Sequence, residues 1–128
     1  MLFITSFVPA ISNFPTLKNG LNKTIKDLKI TDDNLNFVFE DDTTLSLYDG
    51  GQSCCEHRYM KCDDKLSDYI GQKLIDVEIK NYKNLNVDDS WSEHEVQFVE
   101  IKTDKDFFTI VNHNEHNGYY GGFSLQAR

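Results

Sequence analysis

Alternation of apolar and polar residues, repeated in two separate stretches, constrains this chain more than any other feature. Leu35, Phe37 and Phe39 are interleaved with Asn36, Val38 and Glu40, and Thr44-Leu45-Ser46-Leu47-Tyr48 alternates again after the turn Glu40-Asp41-Asp42-Thr43. Successive side chains on a strand point to opposite faces, so the pattern buries one face of a hairpin and leaves the other wet. Ile25, Leu28 and Ile30 place another strand ahead of it, and Asp49-Gly50-Gly51 ends the run. In the second half, Leu74-Ile75-Asp76-Val77-Glu78-Ile79 lines up with Ile25-Lys26-Asp27-Leu28-Lys29-Ile30, each shortly after a glycine, Gly71 or Gly20. Val99 to Asp104 then matches Phe37 to Asp42, and Phe108 to Asn112 follows as Leu45 to Asp49 does. The spacing predicts a β-rich α+β fold: two related three-stranded antiparallel units forming a sandwich or roll, with one short helix. Two unrelated hairpins would share the same alternation.

The expected buried faces are Ile25, Leu28, Ile30, Leu35, Phe37, Phe39, Leu45, Leu47, Leu74, Val77, Ile79, Phe98, Ile101, Phe108 and Ile110. A slip of one residue would turn every side chain over. Asp63 to Ile70 reads as the short helix, with aspartates in its first turn and Gly71 after its end. Asn81 to Glu95 is polar and reads as a surface loop anchored by Trp91. Residues 1–16 are expected to add an edge strand or to contact a partner subunit, and a C-terminal strand closes the single domain, 1–128.

Composition narrows the function. The 128 residues carry 13 Lys+Arg against 21 Asp+Glu, a formal charge of −8, and the only arginines are Arg58 and Arg128. Binding to a nucleic-acid backbone draws most of its affinity from neutralised phosphates and needs a basic stripe, which this chain lacks. An acidic inhibitor that mimics nucleic acid fits the charge. Cys54, Cys55 and Cys62 make an odd set with two adjacent members, a poor disulfide framework, so free thiols in a reducing cytoplasm are expected. At most one of Cys54 and Cys55 should face the core, because neighbours on a strand face opposite ways. No basic residue precedes the apolar start, as a secretory signal would require, and no run is long enough to span a membrane.

Two segments concentrate unusual residues, Asp49 to Met60 and Asn112 to Phe123, each following the last strand of its unit. Three chemistries stay open on the residues alone. Cys54, His57, His113 and His116 are candidate zinc ligands, although no Cys-x-x-Cys spacing accompanies them. Cys54 or Cys55 with a histidine base would make a catalytic thiol. Third, Asn117-Gly118-Tyr119-Tyr120-Gly121-Gly122 interleaves bare backbone with aromatic rings, and Arg58 and Arg128 can hold a pyrophosphate by paired contacts. That set suits a nucleotide-like ligand; alternatively the tyrosines form a strand with glycines at a bulge.

Gln52-Ser53-Cys54-Cys55-Glu56, then Leu66 to Gly71 with a Leu-x-x-x-Ile-Gly pattern, then Asn117-Gly118-Tyr119-Tyr120, resembles a family of small phage and prophage proteins. The match runs from about Gly20 to Phe123. The pattern is also similar to the Thoeris anti-defence sponge family, phage proteins that sequester a cyclic ADP-ribose isomer. Gly121-Gly122 after the double tyrosine and the extra histidines depart from that pattern. The resemblance implies a non-enzymatic, phage-encoded protein without cofactor, acting in the bacterial cytoplasm as a homo-oligomer. Its ligand residues would be Cys54, Cys55, Glu56, Arg58, Asn117, Gly118, Tyr119, Tyr120 and Arg128. The acidic protein-binding inhibitor of a host defence enzyme is the alternative, and a metal-dependent enzyme the third.

Overall fold

The computed structural model describes residues 11–51, 56–85, 93–116 and 122–128. Helix α1 (Phe14–Gly20) is followed by β1 (Ile25–Ile30), β2 (Asn34–Phe39), β3 (Thr44–Asp49) and β4 (Glu56–Lys61). A 3₁₀ turn (Leu66–Tyr69) leads to β5 (Leu74–Asn84), β6 (Glu93–Thr103), β7 (Phe107–His116) and β8 (Leu125–Ala127). These strands form two four-stranded antiparallel sheets, ordered β1-β2-β3-β8 and β4-β7-β6-β5, packed as a sandwich.

The order exposes an exchange between the halves. Each three-strand run, β1-β2-β3 or β5-β6-β7, builds most of one sheet, and the strand after it crosses to the other. Thus β4 pairs with β7, and β8 pairs with β3. The halves also share a bulge, between Ile25 and Asp27 in β1 and between Leu74 and Asp76 in β5. Asp27 and Asp76 each accept a hydrogen bond from the next backbone N–H, at 2.9 Å in both cases. Leu28 lies opposite Phe37, however, and Val77 opposite Ile101. The structural equivalent of Phe37 is therefore Ile101, two positions beyond the alignment read from sequence, which keeps the same face inward.

Alternation decides the core. Leu35, Phe37, Phe39, Leu45 and Leu47 from one sheet meet Leu74, Val77, Val99, Ile101, Phe108 and Ile110 from the other, all buried, with Ile30 and Ile79 partly buried beside them. Phe98 is the exception among the expected core residues: Val99 takes the inward position, and Phe98 is turned to the opposite face. The loop expected over Asn81 to Glu95 is shorter than it reads, because β5 continues to Asn84 and β6 begins at Glu93; Trp91 lies outside the described residues. The helix expected over Asp63 to Ile70 is a single 3₁₀ turn. The α-helix lies instead at Phe14–Gly20, where sequence suggested an edge strand or subunit contact, and it buries Leu17 and Gly20. Residues 1–10 lie outside the described residues, and Ser12 makes one parallel bridge to Gln126. Among the described residues no helix is long and apolar enough to cross a membrane.

Candidate functional site

Past the apolar core, the inward face of the second sheet continues with polar side chains. Along β6 the sequence of inward positions runs Ile101, Val99, Gln97, Glu95; along β7 it runs Phe108, Ile110, Asn112, Asn114, His116. Gln97, Glu95, Asn112, Asn114, His116 and Glu56 are all buried. Buried polar groups are costly unless bonded, so their partners determine what this end of the sandwich can do.

Arg58, inward on β4, is held by carboxylates on both sides. Its Nη1 donates to Asp49 Oδ1 and Oδ2 at 2.9 and 2.8 Å, and its Nη2 to Glu56 Oε2 at 2.8 Å. The three side chains are 8%, 9% and 1% exposed for Arg58, Asp49 and Glu56. Burial pulls the guanidinium pKa down, but the bonds to Glu56 and Asp49 outweigh it and raise the net value. Arg58 Nη1 also donates to Gly122 O at 3.0 Å, and Asn114 Nδ2 donates to Glu56 Oε2 and Gly122 O at 3.0 and 3.1 Å. A second knot sits beside it: Glu95 accepts from His116 Nε2 at 2.6 Å, from the Gly122 N–H at 3.0 Å and from the Tyr82 hydroxyl. Gly122 has φ +77, a left-handed conformation that suits glycine, and this turn presents both its N–H and its carbonyl to the network. Gly51 is needed for closeness, since a Cβ there would lie 2.8 Å from the Arg58 guanidinium carbon.

Of the residues expected to bind ligand, Cys54, Cys55, Asn117, Gly118, Tyr119 and Tyr120 lie outside the described residues. Their flanks are adjacent: Glu56, the first residue of β4, is paired with His116, the last of β7. Glu56 and Arg58 turn inward and are engaged with one another. Arg128 is exposed; its guanidinium lies 4.0 Å from the Tyr48 ring centroid and donates to Asn34 Oδ1 at 3.0 Å. Its backbone pairs with that of Ser46. Arg58 and Arg128 do line one cleft, with Tyr48, Asp49, Tyr59 and Asn112, but its volume is about 120 Å³. Small-molecule pockets run to roughly 300–1,000 Å³. With Arg58 held by two carboxylates, the paired-arginine clamp on a pyrophosphate is not formed.

Strand geometry sets His116 apart from the other two histidine candidates for zinc, and Cys54 lies outside the described residues. His113 and His116 differ by an odd number of positions, so His113 faces outward and His116 inward, while His57 is exposed on the outer face of β4. Among the described residues no group of three or more His, Cys, Asp or Glu is placed to hold a metal ion. Cys62 is a free, half-buried thiol whose pKa burial raises, and its Sγ lies 3.4 Å from Thr109 O.

The outer face of the same sheet holds what composition did not flag. A groove of about 450 Å³ is floored by Val96, Phe98 and Val111, flanked by Lys61 and Lys83, and reaches His113. Lys83 Nζ lies 6.0 Å from the Phe98 ring centroid. Beside it, Tyr59 stacks on His113 with centroids 4.5 Å apart and planes 5° from parallel, and His94 Nε2 lies 2.9 Å from His113 Nδ1. Tyr59 donates to Glu115 Oε2 at 2.6 Å. Burial, then this bond, lifts the tyrosine pKa to about 12, and the same bond lowers that of Glu115. Glu95 and the floor of the outer groove lie outside the two segments that sequence marks, and Asp49, Asn112 and Asn114 lie inside them without a role assigned. The signal available was the continuation of the inward alternation into polar residues, and of the outward one into Val96, Phe98 and Val111.

Fold and site together define a β-sandwich domain with an ionic network buried at one end and an open groove on one outer face. The chain belongs to the family described as Domain of unknown function (DUF7448), whose pattern matches residues 18–125. No curated protein and no solved structure matches it.

Proposed function

We propose that this chain is a phage-encoded, non-catalytic protein that binds and sequesters a cyclic nucleotide-type immune signal of the cyclic ADP-ribose isomer class. The observation that carries the proposal is the outer groove of about 450 Å³ with an aromatic and aliphatic floor and lysines on both flanks. Its volume falls in the range of small-molecule sites. Phe98 offers a ring face to a base, and Lys61 and Lys83 offer charge to phosphates in a chain that is otherwise acidic. Lys61 pairs with Asp32 at 2.9 Å, with both side chains well exposed, and lies 5.9 Å from the Tyr59 ring centroid; an exposed pairing of this kind costs little to exchange. The resemblance to the Thoeris anti-defence sponge family supports the ligand class, and the arginine-lined cleft is set aside because of its size.

Sequestration demands affinity near nanomolar, about −12 kcal/mol. An open groove reaches that most readily when a second copy lies over it, so a homo-oligomer belongs to the proposal. The test is titration calorimetry against cyclic ADP-ribose isomers and cyclic oligonucleotides, with Phe98→Ala and Lys83→Glu as variants. Tight stoichiometric binding lost in both folded variants is expected. No binding to any of these ligands, with capture of one host enzyme by the bare protein, would favour the acidic inhibitor instead.

A further inference from the structure

We propose that His94 and His113 form a proton-accepting anion clasp at the end of the outer groove, so that a phosphate-type group binds there together with a proton. The proposal deepens the groove's reading as a nucleotide-type site and rests on it for the ligand class. His94 Nε2 and His113 Nδ1 face each other at 2.9 Å. With both rings neutral, one nitrogen donates to the other and that edge of the pair offers a ligand nothing. A second proton turns both into donors, which repel unless an acceptor enters between them. An anionic oxygen is such an acceptor, taking a hydrogen bond from each ring.

The surroundings set the balance. Lys61 on β4 opposes a further positive charge on His113 and Glu115 on β7 favours it; Lys83 on β5 and Asp63 in the loop after β4 line the same groove with opposite charges, and His57 lies beside Tyr59 on β4. Half-burial of His113, and then His94 beside it, lower its pKa, so the His113 ring favours its neutral form near neutrality. Tyr59, stacked on His113 and tied to Glu115, holds the ring's orientation while a proton is gained. An arriving dianion reverses the electrostatic sign at the pair and draws the proton in.

The experiment uses two anions whose own charge is constant between about pH 6 and pH 8, inorganic sulfate and ADP-ribose. Calorimetry in two buffers of different ionisation enthalpy counts protons taken up per anion bound. Uptake of about one proton is expected, with affinity falling about tenfold per pH unit above neutrality. His113→Gln and His94→Gln should each flatten that slope, while Lys83→Gln weakens binding at every pH and keeps it. Thermal melts confirm that the variants fold. Affinity independent of pH, no proton uptake, or an unchanged slope in both histidine variants would overturn the clasp. If sulfate shows the expected slope and no cyclic ADP-ribose isomer binds, the ligand class fails and the clasp stands. If the isomers bind without proton uptake, the clasp fails and the ligand class stands.

Discussion

Replacing Arg58 by methionine tests the central claim about the buried network. The variant keeps most of the side-chain volume and removes the charge. Asp49 and Glu56, 9% and 1% exposed, then lose their shared cation, and Glu56 keeps its bond from Asn114. Breaking a buried ion pair by removing one partner costs about 3–5 kcal/mol, because the remaining charge stays desolvated. Against a typical domain stability of about 5–15 kcal/mol this is a large fraction. Urea unfolding followed by circular dichroism should show the loss as a lower midpoint with an unchanged slope. The pH dependence carries a definite sign. Deprived of the guanidinium, the two buried carboxylates hold a proton more tightly than they do beside it, so the deficit is full near pH 7 and shrinks as pH falls towards the carboxylate range. The triple variant Arg58→Met, Asp49→Asn, Glu56→Gln should recover most of the loss, since neutral groups of similar shape carry no stranded charge. A deficit below about 1 kcal/mol, or one that is the same at low and neutral pH, would refute the account.

Other expectations concern single contacts. Gly51→Ala should lower stability by about 1–3 kcal/mol, because its Cβ would sit 2.8 Å from the guanidinium carbon of a held arginine; a thermal melt checks it. Tyr59 should ionise near pH 12 in a tyrosinate absorbance titration. Because its folded pKa is raised, its stabilisation is complete below the unfolded value near 10 and is lost as pH climbs through 12. The Cys62 thiol, raised by burial, should react with iodoacetamide more slowly than free cysteine in the native protein and at the free rate in denaturant. Phe37→Ala, at a fully buried position, should cost about 3–5 kcal/mol by denaturant unfolding.

Period-two alternation made the strands legible wherever one face is apolar and the other polar. β1, β2, β3 and the apolar halves of β5, β6 and β7 were all readable, and with them the sandwich and nearly all of its core. Free energy is local there: each Leu or Phe is sorted by water, and the pleat does the rest. Phe98 was misread because Phe98 and Val99 are both apolar, and sequence cannot say which of two neighbours faces in. The Phe14–Gly20 helix buries a single large side chain, Leu17, so it leaves no periodic trace, although Pro15 in its first turn was a usable start signal.

The site was decided elsewhere. Sequence marks Glu56 and Arg58 as ligand residues, but the contacts they make depend on Asp49 at the end of β3, Asn114 on β7 and the Gly122 carbonyl, groups brought together only when β4 crosses to the second sheet. An arginine met in sequence is a free cation; the same arginine between two carboxylates, in a medium that screens little, is neutralised and held. Likewise His113 and His116 look like a pair in the chain and stand on opposite faces of β7, whereas His94 and His113, distant in sequence, meet at 2.9 Å because β6 and β7 are neighbours. Burial along a strand is determined residue by residue from the sequence, but the charge and proton balance of a site is a sum over neighbours, and only the pairing of strands determines who the neighbours are.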